Sequence, residues 1–412
     1  MPQREELGQW LLDHLQEDLQ NLAICFAAEN INGVDFYKDT LATCNRPPDS
    51  WRNLLFSGSV LTTVGNNRCS KAALLIALSA IQLSDDKTVN AAAATILTQL
   101  SNHYSIDLAC RKAGLAENWF EECGGYQQML LKRRRLETSV PFLDKSINNI
   151  QYRFYDALTK NHSVALSAQT AAGKTYLSKN WLLNEFAREK MKLAVFIAPT
   201  RALVSEIERS LIEEARRIEL NSLRVSSMPM SSLGDGKYPT ILVFTQERLN
   251  VFLRSLEEIN PIDVCLIDEA HQIADGQRGI VLESALERVQ QHSPDCKFVF
   301  LSPLVSNPEV FLTSYGLSEN GKSLIDDIPL VLQNVYAAKK PYRQPRVREM
   351  HLAEQSDVLL GRMEFENPPR PADIAFKLGE QDGKTLLYAN GPAEAAKFAR
   401  EITNHCEKVV DD

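Results

Sequence analysis

The chain has 412 residues, of which 44% are hydrophobic and 24% charged, and its formal net charge is −8. This composition is typical of a soluble globular protein, and the length predicts two or three domains rather than a single core. The negative charge counts mildly against nucleic-acid binding, although a local groove on an acidic protein can still bind nucleic acid.

The cysteine spacing and the apolar runs indicate a cytoplasmic protein. The eight cysteines are scattered and include no Cys-x-x-Cys pair, which argues against a zinc or iron–sulfur site and for reduced thiols. The first six residues are not a signal peptide, and the longest apolar stretch, Ala72–Leu83, is too short to span a bilayer. We therefore expect a cytoplasmic or nucleoid-associated protein that is not secreted and does not enter a membrane.

Residues 1–140 are predicted to form an all-α N-terminal domain. Leucines recur at helical spacing between Leu7 and Leu22, and further helices are predicted at Lys71–Leu83, Thr88–Tyr104 and Asn118–Leu131. This region resembles no known family. It could bind a partner protein, sense a nucleic-acid end or only stabilise the rest of the chain.

A basic run, Lys132–Arg135, follows these helices. It could contact phosphates, or it could be the solvated end of a helix, where positive charges interact favourably with the helix dipole. Pro141 then marks a domain boundary.

From residue 161 onward, short apolar runs alternate with helical stretches. The apolar runs lie at Val164–Ala168, Leu193–Ala198, Leu223–Ser227, Ile241–Thr245, Val264–Ile267 and Phe298–Ser302. Helices such as Ala202–Ile218 and Gln246–Leu256 fit between them. This alternation predicts an α/β domain with a doubly wound parallel sheet, which we assign to residues 141–327.

The first apolar run leads into a loop suited to phosphate binding, Ala168-Gln169-Thr170-Ala171-Ala172-Gly173-Lys174-Thr175. Small residues let the backbone approach a triphosphate, and the N–H groups of the following helix present a positive end to it. Lys174 can reach the β- and γ-phosphates, and the Thr175 hydroxyl can hold Mg²⁺. Ala168 stands where the usual pattern has its first glycine, so the loop taken alone could be a chance match.

Asp268 and Glu269 follow the apolar run Val264–Ile267. An Asp at the tip of a neighbouring strand can supply a second Mg²⁺ contact, and the adjacent Glu can act as a general base on the attacking water. Ligands of open α/β sheets bind at the carboxyl ends of the strands, where both carboxylates are expected. An acidic pair in this place is also a common helix N-cap, but that explanation does not account for its occurrence together with the loop.

These stretches and several others resemble, in their order and spacing, the superfamily-two DEAH-box helicases, and within them the Ski-type group. Besides the loop and Asp268-Glu269-Ala270-His271, the resemblance rests on Gln151, Ala198-Pro199-Thr200-Arg201-Ala202-Leu203, Gly234-Asp235, Ile241–Leu249, Asp275, Arg278-Gly279, Leu282-Glu283, Leu301–Leu304 and Leu386–Asn390. It covers about residues 148–402, well over half of the chain.

The resemblance implies RecA-like motor domains that use ATP and Mg²⁺. The catalytic residues would be Lys174, Asp268, Glu269 and His271, with Thr175 and Asp268 as the Mg²⁺ ligands. ATP would be bound by Gln151, which reads adenine, and by Thr170, Ala171, Ala172, Gly173, Lys174 and Thr175. Nucleic acid would be contacted by Pro199, Thr200, Arg201, Gly234, Thr245, Arg248 and Arg278. Ser302 would couple hydrolysis to strand movement.

Two departures from the family pattern bear on activity. Pro303 and Leu304 replace the usual Ala and Thr, which halves a hydroxyl pair that links hydrolysis to movement in the family. The sequence also ends at Asp412, before the glycine- and arginine-containing motifs of the second motor domain. We therefore expect residues 328–412 to be an incomplete second RecA-like domain. The chain would be a fragment, or one piece of a split or shortened protein, with very slow hydrolysis and little unwinding.

The sequence thus predicts an ATP-dependent helicase or translocase on single-stranded or partly duplex nucleic acid, acting in repair, RNA decay or phage defence. DNA and RNA are not distinguished, because motor contacts are mostly to the backbone. Two alternatives stay open. A P-loop ATPase without nucleic acid would give no role to Pro199-Thr200-Arg201, and a scaffold with a degenerate motor is favoured by Ser302-Pro303-Leu304.

Overall fold

The computed structural model describes residues 2–44, 51–102, 105–106, 124–143, 147–169, 172–229, 237–254, 260–303, 305–326, 332–353, 358–379 and 388–410. These residues form two compact units. The first unit combines residues from 1–131 and 331–412, and the second lies within 132–330. Each unit is described by itself.

The N-terminal part of the chain is mainly helical. Its elements are α1 (Pro2–His14), α2 (Gln16–Glu29), β1 (Asp35–Phe36), α3 (Lys38–Cys44), α4 (Trp51–Leu61), α5 (Asn67–Leu83), α6 (Lys87–Gln99) and α7 (Gly125–Glu137). The side chain of Asn66 accepts from the N–H of Cys69 and caps α5, and Asp86 caps α6 by accepting from the N–H of Thr88, both at 2.8 Å. The helices predicted around residues 71–83 and 88–99 are therefore present with the turn between them.

The second unit is built on a seven-stranded parallel sheet. Its strands are β2 (Ser163–Ala168), β3 (Leu193–Ile197), β4 (Arg224–Ser226), β5 (Thr240–Phe244), β6 (Val264–Ile267), β7 (Lys297–Ser302) and β8 (Gly321–Asp326). Their order is β4-β5-β3-β6-β7-β2-β8. This confirms the predicted parallel sheet, and strands β2 to β7 coincide with the predicted apolar runs. Sequence patterning missed β8, which lies at the sheet edge and alternates exposed with partly buried residues.

Helices cover both faces of this sheet. They are α8 (Asn149–Lys160), α9 (Lys174–Ala187), α10 (Arg201–Arg217), α11 (Gln246–Leu253), α12 (Gly276–His292) and α13 (Glu309–Ser314), with a 3₁₀ helix at Ala270–Ala274 before α12. Alternate strand residues enter two separate cores, one with Trp181 and Leu211 and the other with Phe252 and Leu286. Burial on both faces explains why the central strands β3, β5 and β6 are almost continuously apolar.

The remainder of the first unit carries an antiparallel sheet. After β9 (Tyr336–Lys339), β10 (Val347–Leu352) and β11 (Val358–Glu364) come α14 (Pro371–Gly379) and α15 (Pro392–Val410). The strand order is β1-β11-β10-β9, and all neighbouring pairs are antiparallel. The β1 backbone passes so close to Gly361 that a Cβ atom there would lie 2.3 Å from the carbonyl oxygen of Asp35.

This arrangement differs from one sequence expectation and leaves a second one as a prediction. The region 1–140 is not purely helical, because β1 joins a sheet whose other strands come from residues 336–364. The described strands after residue 331 are antiparallel, whereas a RecA-like domain would open with a parallel strand. Leu386 and Leu387, which begin one of the segments that carry the family resemblance, lie outside the described residues, so the second RecA-like domain and the division at 140 and 327 stay predictions.

Within the described part of the chain, none of the helices combines the length and the apolar composition needed to cross a bilayer.

Candidate functional site

The parallel register brings the carboxyl ends of the central strands to one edge of the sheet. Ser167 pairs with Ser302 at the ends of β2 and β7, and Ile197 pairs with both Ile267 and Phe244 at the ends of β3, β6 and β5. The loops that follow these strands therefore leave the sheet side by side. These loops and the first turns of the helices that follow them contain most of the described predicted site residues; Gln151 lies on α8, before β2, and Arg278 on α12.

The phosphate-binding loop joins β2 to α9. Gly173 caps α9 with a left-handed backbone (φ +72°), and a Cβ atom there would lie 2.4 Å from Gln151 Nε2, so a side chain would strain the backbone and displace the Gln151 amide. Lys174 is only 5% exposed, and its Nζ donates to the carbonyl oxygens of Ala168 at 2.6 Å and Gln169 at 3.0 Å. Two predicted ATP-binding residues, Thr170 and Ala171, lie outside the described residues.

Asp268 and Thr175, the two predicted Mg²⁺ ligands, are in direct contact. Thr175 Oγ1 donates to Asp268 Oδ2 at 3.0 Å, and the N–H of Glu269 donates to Asp268 Oδ1 at 3.1 Å. A hydroxyl and a carboxylate at this separation supply oxygen ligands of the kind that Mg²⁺ prefers, so these residues fit the ion.

Burial perturbs both charged groups of this site. It raises the pKa of Asp268; the hydrogen bond from Thr175 opposes this change and the charge of Glu269 adds to it. Burial also lowers the pKa of Lys174, against the attraction of Glu269 and Asp268. Charges held in such a desolvated place interact more strongly with a bound ligand than they would in water.

Glu269 and His271 follow in a strained turn. Glu269 has a left-handed backbone (φ 55°, ψ 44°), which is uncommon for a residue with a side chain, and the 3₁₀ helix Ala270–Ala274 begins directly after it. His271 Nδ1 lies 3.3 Å from Glu269 Oε2, without the geometry of a hydrogen bond. The turn thus brings the predicted base and the predicted catalytic histidine together.

Gln151 has a different position from the one that adenine reading implies. It is 3% exposed and forms a capping box with Asn148, whose N–H donates to Gln151 Oε1 at 3.0 Å. Its Nε2 donates to the carbonyl oxygen of Ala172 at 3.0 Å. Both ends of the amide are therefore engaged with α8 and with the phosphate-binding loop, and adenine reading by Gln151 stays a prediction.

The predicted nucleic-acid contacts lie where α10 and α11 begin. Thr200 caps α10 by accepting from the N–H of Leu203 at 3.3 Å, and Thr245 caps α11 by accepting from the N–H of Arg248 at 3.4 Å. Thr200 and Arg201 are exposed, whereas Thr245 is only 6% exposed. Arg248 Nη1 donates to the carbonyl oxygen of Ser227 at 2.9 Å, and Gly234 lies outside the described residues.

Arg278 and Pro199 form one hydrogen-bonded group with the start of α11. Arg278 Nη2 donates to the carbonyl oxygen of Pro199 at 2.6 Å, and Nε donates to Glu247 Oε1 at 3.3 Å. With the amide of Gln246 turned so that its oxygen faces these donors, it accepts from Nε and Nη2 at 2.9 Å each. Gln246 and Glu247 lie within the motif Ile241–Leu249, but sequence reasoning gave neither residue a role, although their place directly after Thr245 was a usable signal.

Ser302 lies at the end of β7 and is 1% exposed. Its Oγ donates to the carbonyl oxygen of Leu166 at 3.3 Å, and the N–H of Val305 donates to Ser167 Oγ at 2.6 Å. The predicted coupling residue is thus fixed against β2, beside the start of the phosphate-binding loop. Leu304 lies outside the described residues.

Comparisons with known proteins show that residues 148–309 are similar to helicases. A family model described as DEAD/DEAH box helicase matches residues 148–309. The ATP-dependent DNA helicase Hel308 of Methanococcus vannielii is 32% identical over 164 residues, covering 37% of this chain and 20% of that protein. The exosome RNA helicase MTR4 of Homo sapiens is 28% identical over 172 residues, covering 42% of this chain and 15% of that protein. The chain therefore spans about a fifth, or less, of the length of these curated relatives.

Among solved structures, the DUF1998 helicase MrfA is similar with a TM-score of 0.46 and 16% identity, over 65% of this chain and 40% of that chain.

Proposed function

Because the chain belongs to the superfamily-two DEAD/DEAH-box helicases of Ski type, as its sequence resemblance predicted, we propose that its second unit binds ATP and uses hydrolysis to move on nucleic acid. The observation that carries the proposal is the contact of 3.0 Å between Thr175 Oγ1 and Asp268 Oδ2. These residues are far apart in the sequence, and their side chains meet where a nucleotide-bound Mg²⁺ would need both.

The phosphate end of ATP would be held by the loop between β2 and α9. Thr175 and Asp268 would hold Mg²⁺, which neutralises charge on the β- and γ-phosphates when bound. Lys174 now donates to two backbone carbonyls of the loop, and on ATP binding its ammonium group would turn to the phosphates. Its low exposure strengthens that interaction, since little water competes for the charge.

Glu269 would accept the proton of the attacking water. Its left-handed backbone directs the chain away from the end of β6, and the nearby His271 keeps a polar group beside the carboxylate. General-base catalysis of this kind contributes about 10²–10⁴-fold to a rate.

A single strand of nucleic acid would lie along the starts of α10 and α11. Thr200 and Arg201 are exposed there, next to a helix N-terminus that favours phosphate binding. The names of the relatives include a DNA helicase and an RNA helicase, so they do not favour one nucleic acid over the other.

The test is phosphate release from ATP by the 412-residue chain in single-turnover assays, with and without a single-stranded oligonucleotide. We expect the oligonucleotide to raise the rate. Lys174→Ala should remove nucleotide binding, because it deletes the loop's cation. Glu269→Gln should keep binding of a fluorescent ATP analogue while its turnover falls by about 10²–10⁴-fold.

The outcomes separate the alternatives. Turnover that persists in Glu269→Gln refutes the assignment of Glu269 as general base. A hydrolysis rate that does not change when nucleic acid is added indicates a P-loop ATPase of another kind. The scaffold alternative is favoured by Ser302, whose hydroxyl donates into the sheet instead of toward a neighbouring loop. It would be supported by nucleic-acid binding without any nucleotide binding in the unaltered chain.

A further inference from the structure

Arg278 joins two loops that sequence reasoning treated separately. Its guanidinium group contacts the carbonyl oxygen of Pro199, which precedes Thr200 and Arg201, and also the side chains of Gln246 and Glu247, which follow Thr245. A planar guanidinium presents its donors in a rigid fork that fits these groups together, a geometry that a lysine ammonium does not reproduce.

The same residue is attached to the segment that follows Glu269. Arg278 and Gly279 lie in the first turns of α12, and a Cβ atom on Gly279 would lie 2.1 Å from the carbonyl oxygen of Ile273. The first turns of α12 therefore pack directly on the 3₁₀ helix Ala270–Ala274. A second bond, from Asn250 Nδ2 to the carbonyl oxygen of Val281 at 2.8 Å, ties α11 to α12.

We propose that Arg278 is a positioning residue. It holds the starts of α10 and α11 at a fixed separation and connects both to the 3₁₀ helix Ala270–Ala274, which follows Glu269. This replaces the sequence-based assignment of Arg278 as a direct nucleic-acid contact. The ligand of the two loops rests on the proposed function, but the positioning role of Arg278 does not.

The charges around Arg278 support this role. Glu247 lies within ion-pair distance of Arg278 at the surface, where both side chains are about half exposed, so the positive charge is partly balanced within the chain before any phosphate binds. The pKa of Glu247 is lowered: burial opposes the change, but hydrogen bonds from Thr245 and from its own N–H outweigh it together with the charge of Arg278. A side chain whose donors are engaged by a carbonyl, an amide and a carboxylate is better suited to hold loops than to bind a mobile phosphate.

The first test needs no nucleic acid. Hydrogen exchange is measured on the 412-residue chain and on Arg278→Gln, Arg278→Lys and the control Arg288→Gln, which removes an exposed arginine from the same helix. The reporters are the first-turn amides of Val204 and Leu249, which donate to Thr200 and Thr245. We expect both Arg278 variants to exchange there roughly tenfold faster, because bonds to a charged group contribute at that level. Amides of β2 and the control should not change.

The second test is the salt dependence of single-strand binding. A direct phosphate contact lowers the slope of log affinity against log salt by roughly 0.7 when it is removed. We expect Arg278→Gln and Arg278→Lys to weaken binding several-fold with the slope unchanged, whereas Arg201→Ala lowers the slope.

Two results overturn the proposal. One is unchanged exchange at Val204 and Leu249 in both Arg278 variants. The other is a slope that falls in Arg278→Gln while Arg278→Lys binds normally, which would make Arg278 a phosphate contact. If the unaltered chain binds no single strand, the proposed function fails, and the hydrogen-exchange experiment alone decides whether Arg278 is a positioning residue.

Discussion

At the scale of single residues, the site keeps two opposite charges in a desolvated place. Asp268 and Lys174 both lie where burial disfavours their charged forms. Neither has a close salt-bridge partner among the described residues: Lys174 donates to backbone carbonyls, and Asp268 accepts from a hydroxyl and a backbone N–H. Such groups cost stability, which proteins accept at sites that bind ligands.

Asp268→Asn should therefore stabilise the fold while it removes Mg²⁺-dependent nucleotide binding. The amide has the same shape and carries no charge to desolvate. We expect a gain of about 0.5–2 kcal/mol, or a few degrees in Tm, at neutral pH. Differential scanning calorimetry without nucleotide measures it, with the exposed Asp295→Asn as the matched control.

The pH dependence of this gain has a definite sign. Because the pKa of Asp268 is raised in the folded chain, its destabilising effect is present above the raised value and is lost as the pH falls to the ordinary 3.8. The Tm difference between the two proteins should shrink over that range. A difference that grows as the pH falls would contradict the burial argument.

Sequence reasoning predicted most residues of the candidate site but not their contacts. The loop, Asp268 and Glu269 were identified because their chemistry requires particular residue types at particular places. Arg278 and Gln151 were also predicted as site residues, but their partners are the backbone carbonyls of Pro199 and Ala172. Because every residue has a backbone carbonyl, the sequence does not indicate such partners. Side-chain roles that depend on the backbone of a distant segment are the ones that pattern reading cannot supply.

At the scale of elements, the close packing of α12 on the 3₁₀ helix depends on Gly279. Gly279→Ala should push these two elements apart, since the added atom meets backbone and not a flexible side chain. We expect a loss of about 1–3 kcal/mol in stability and slower hydrolysis through the displaced Glu269. Thermal unfolding and single-turnover phosphate release measure the two effects.

Gln277→Ala is the control for this prediction, because Gln277 is exposed on the same turn. Surface changes of that kind usually stay within about 0.5 kcal/mol. Equal effects of the two substitutions would mean that the close approach of α12 has no special importance.

Elements were predictable where burial imposed a pattern. Strands β2, β3, β5, β6 and β7 are buried or nearly so and read as apolar runs, whereas β8 at the edge and the two-residue β1 carry no such run. The other edge strand, β4, lies in a predicted apolar run although its residues are exposed or partly buried. The strand β1 forms by pairing with β11, far along the chain, and local sequence contains no information about that partner.

At the scale of the whole molecule, an acidic chain is expected to bind nucleic acid through few charges. The net charge is −8; of the predicted contacts that the structure describes, Arg248 is partly buried and Arg278 is exposed but bonded to Pro199 and Glu247. Arg201 is exposed, and no hydrogen bond or ion pair within the described residues engages its guanidinium group. One phosphate contact gives a slope of roughly −0.7 on a single strand, so affinity should fall only about threefold between 50 and 200 mM salt. Fluorescence anisotropy measures this, and a fall of a hundredfold would indicate further basic groups at the interface.

The parallel sheet also determines where a label can be attached to this protein without disturbing the candidate site. All the candidate site loops leave from the carboxyl edge, so the turns that enter the strands lie one strand length away, about 20 Å along the six-residue β7. Asp295 is exposed in such a turn, just before β7. A fluorophore or surface tether attached there would leave the nucleotide and strand-binding loops open, which makes it a suitable anchor for watching single molecules at work.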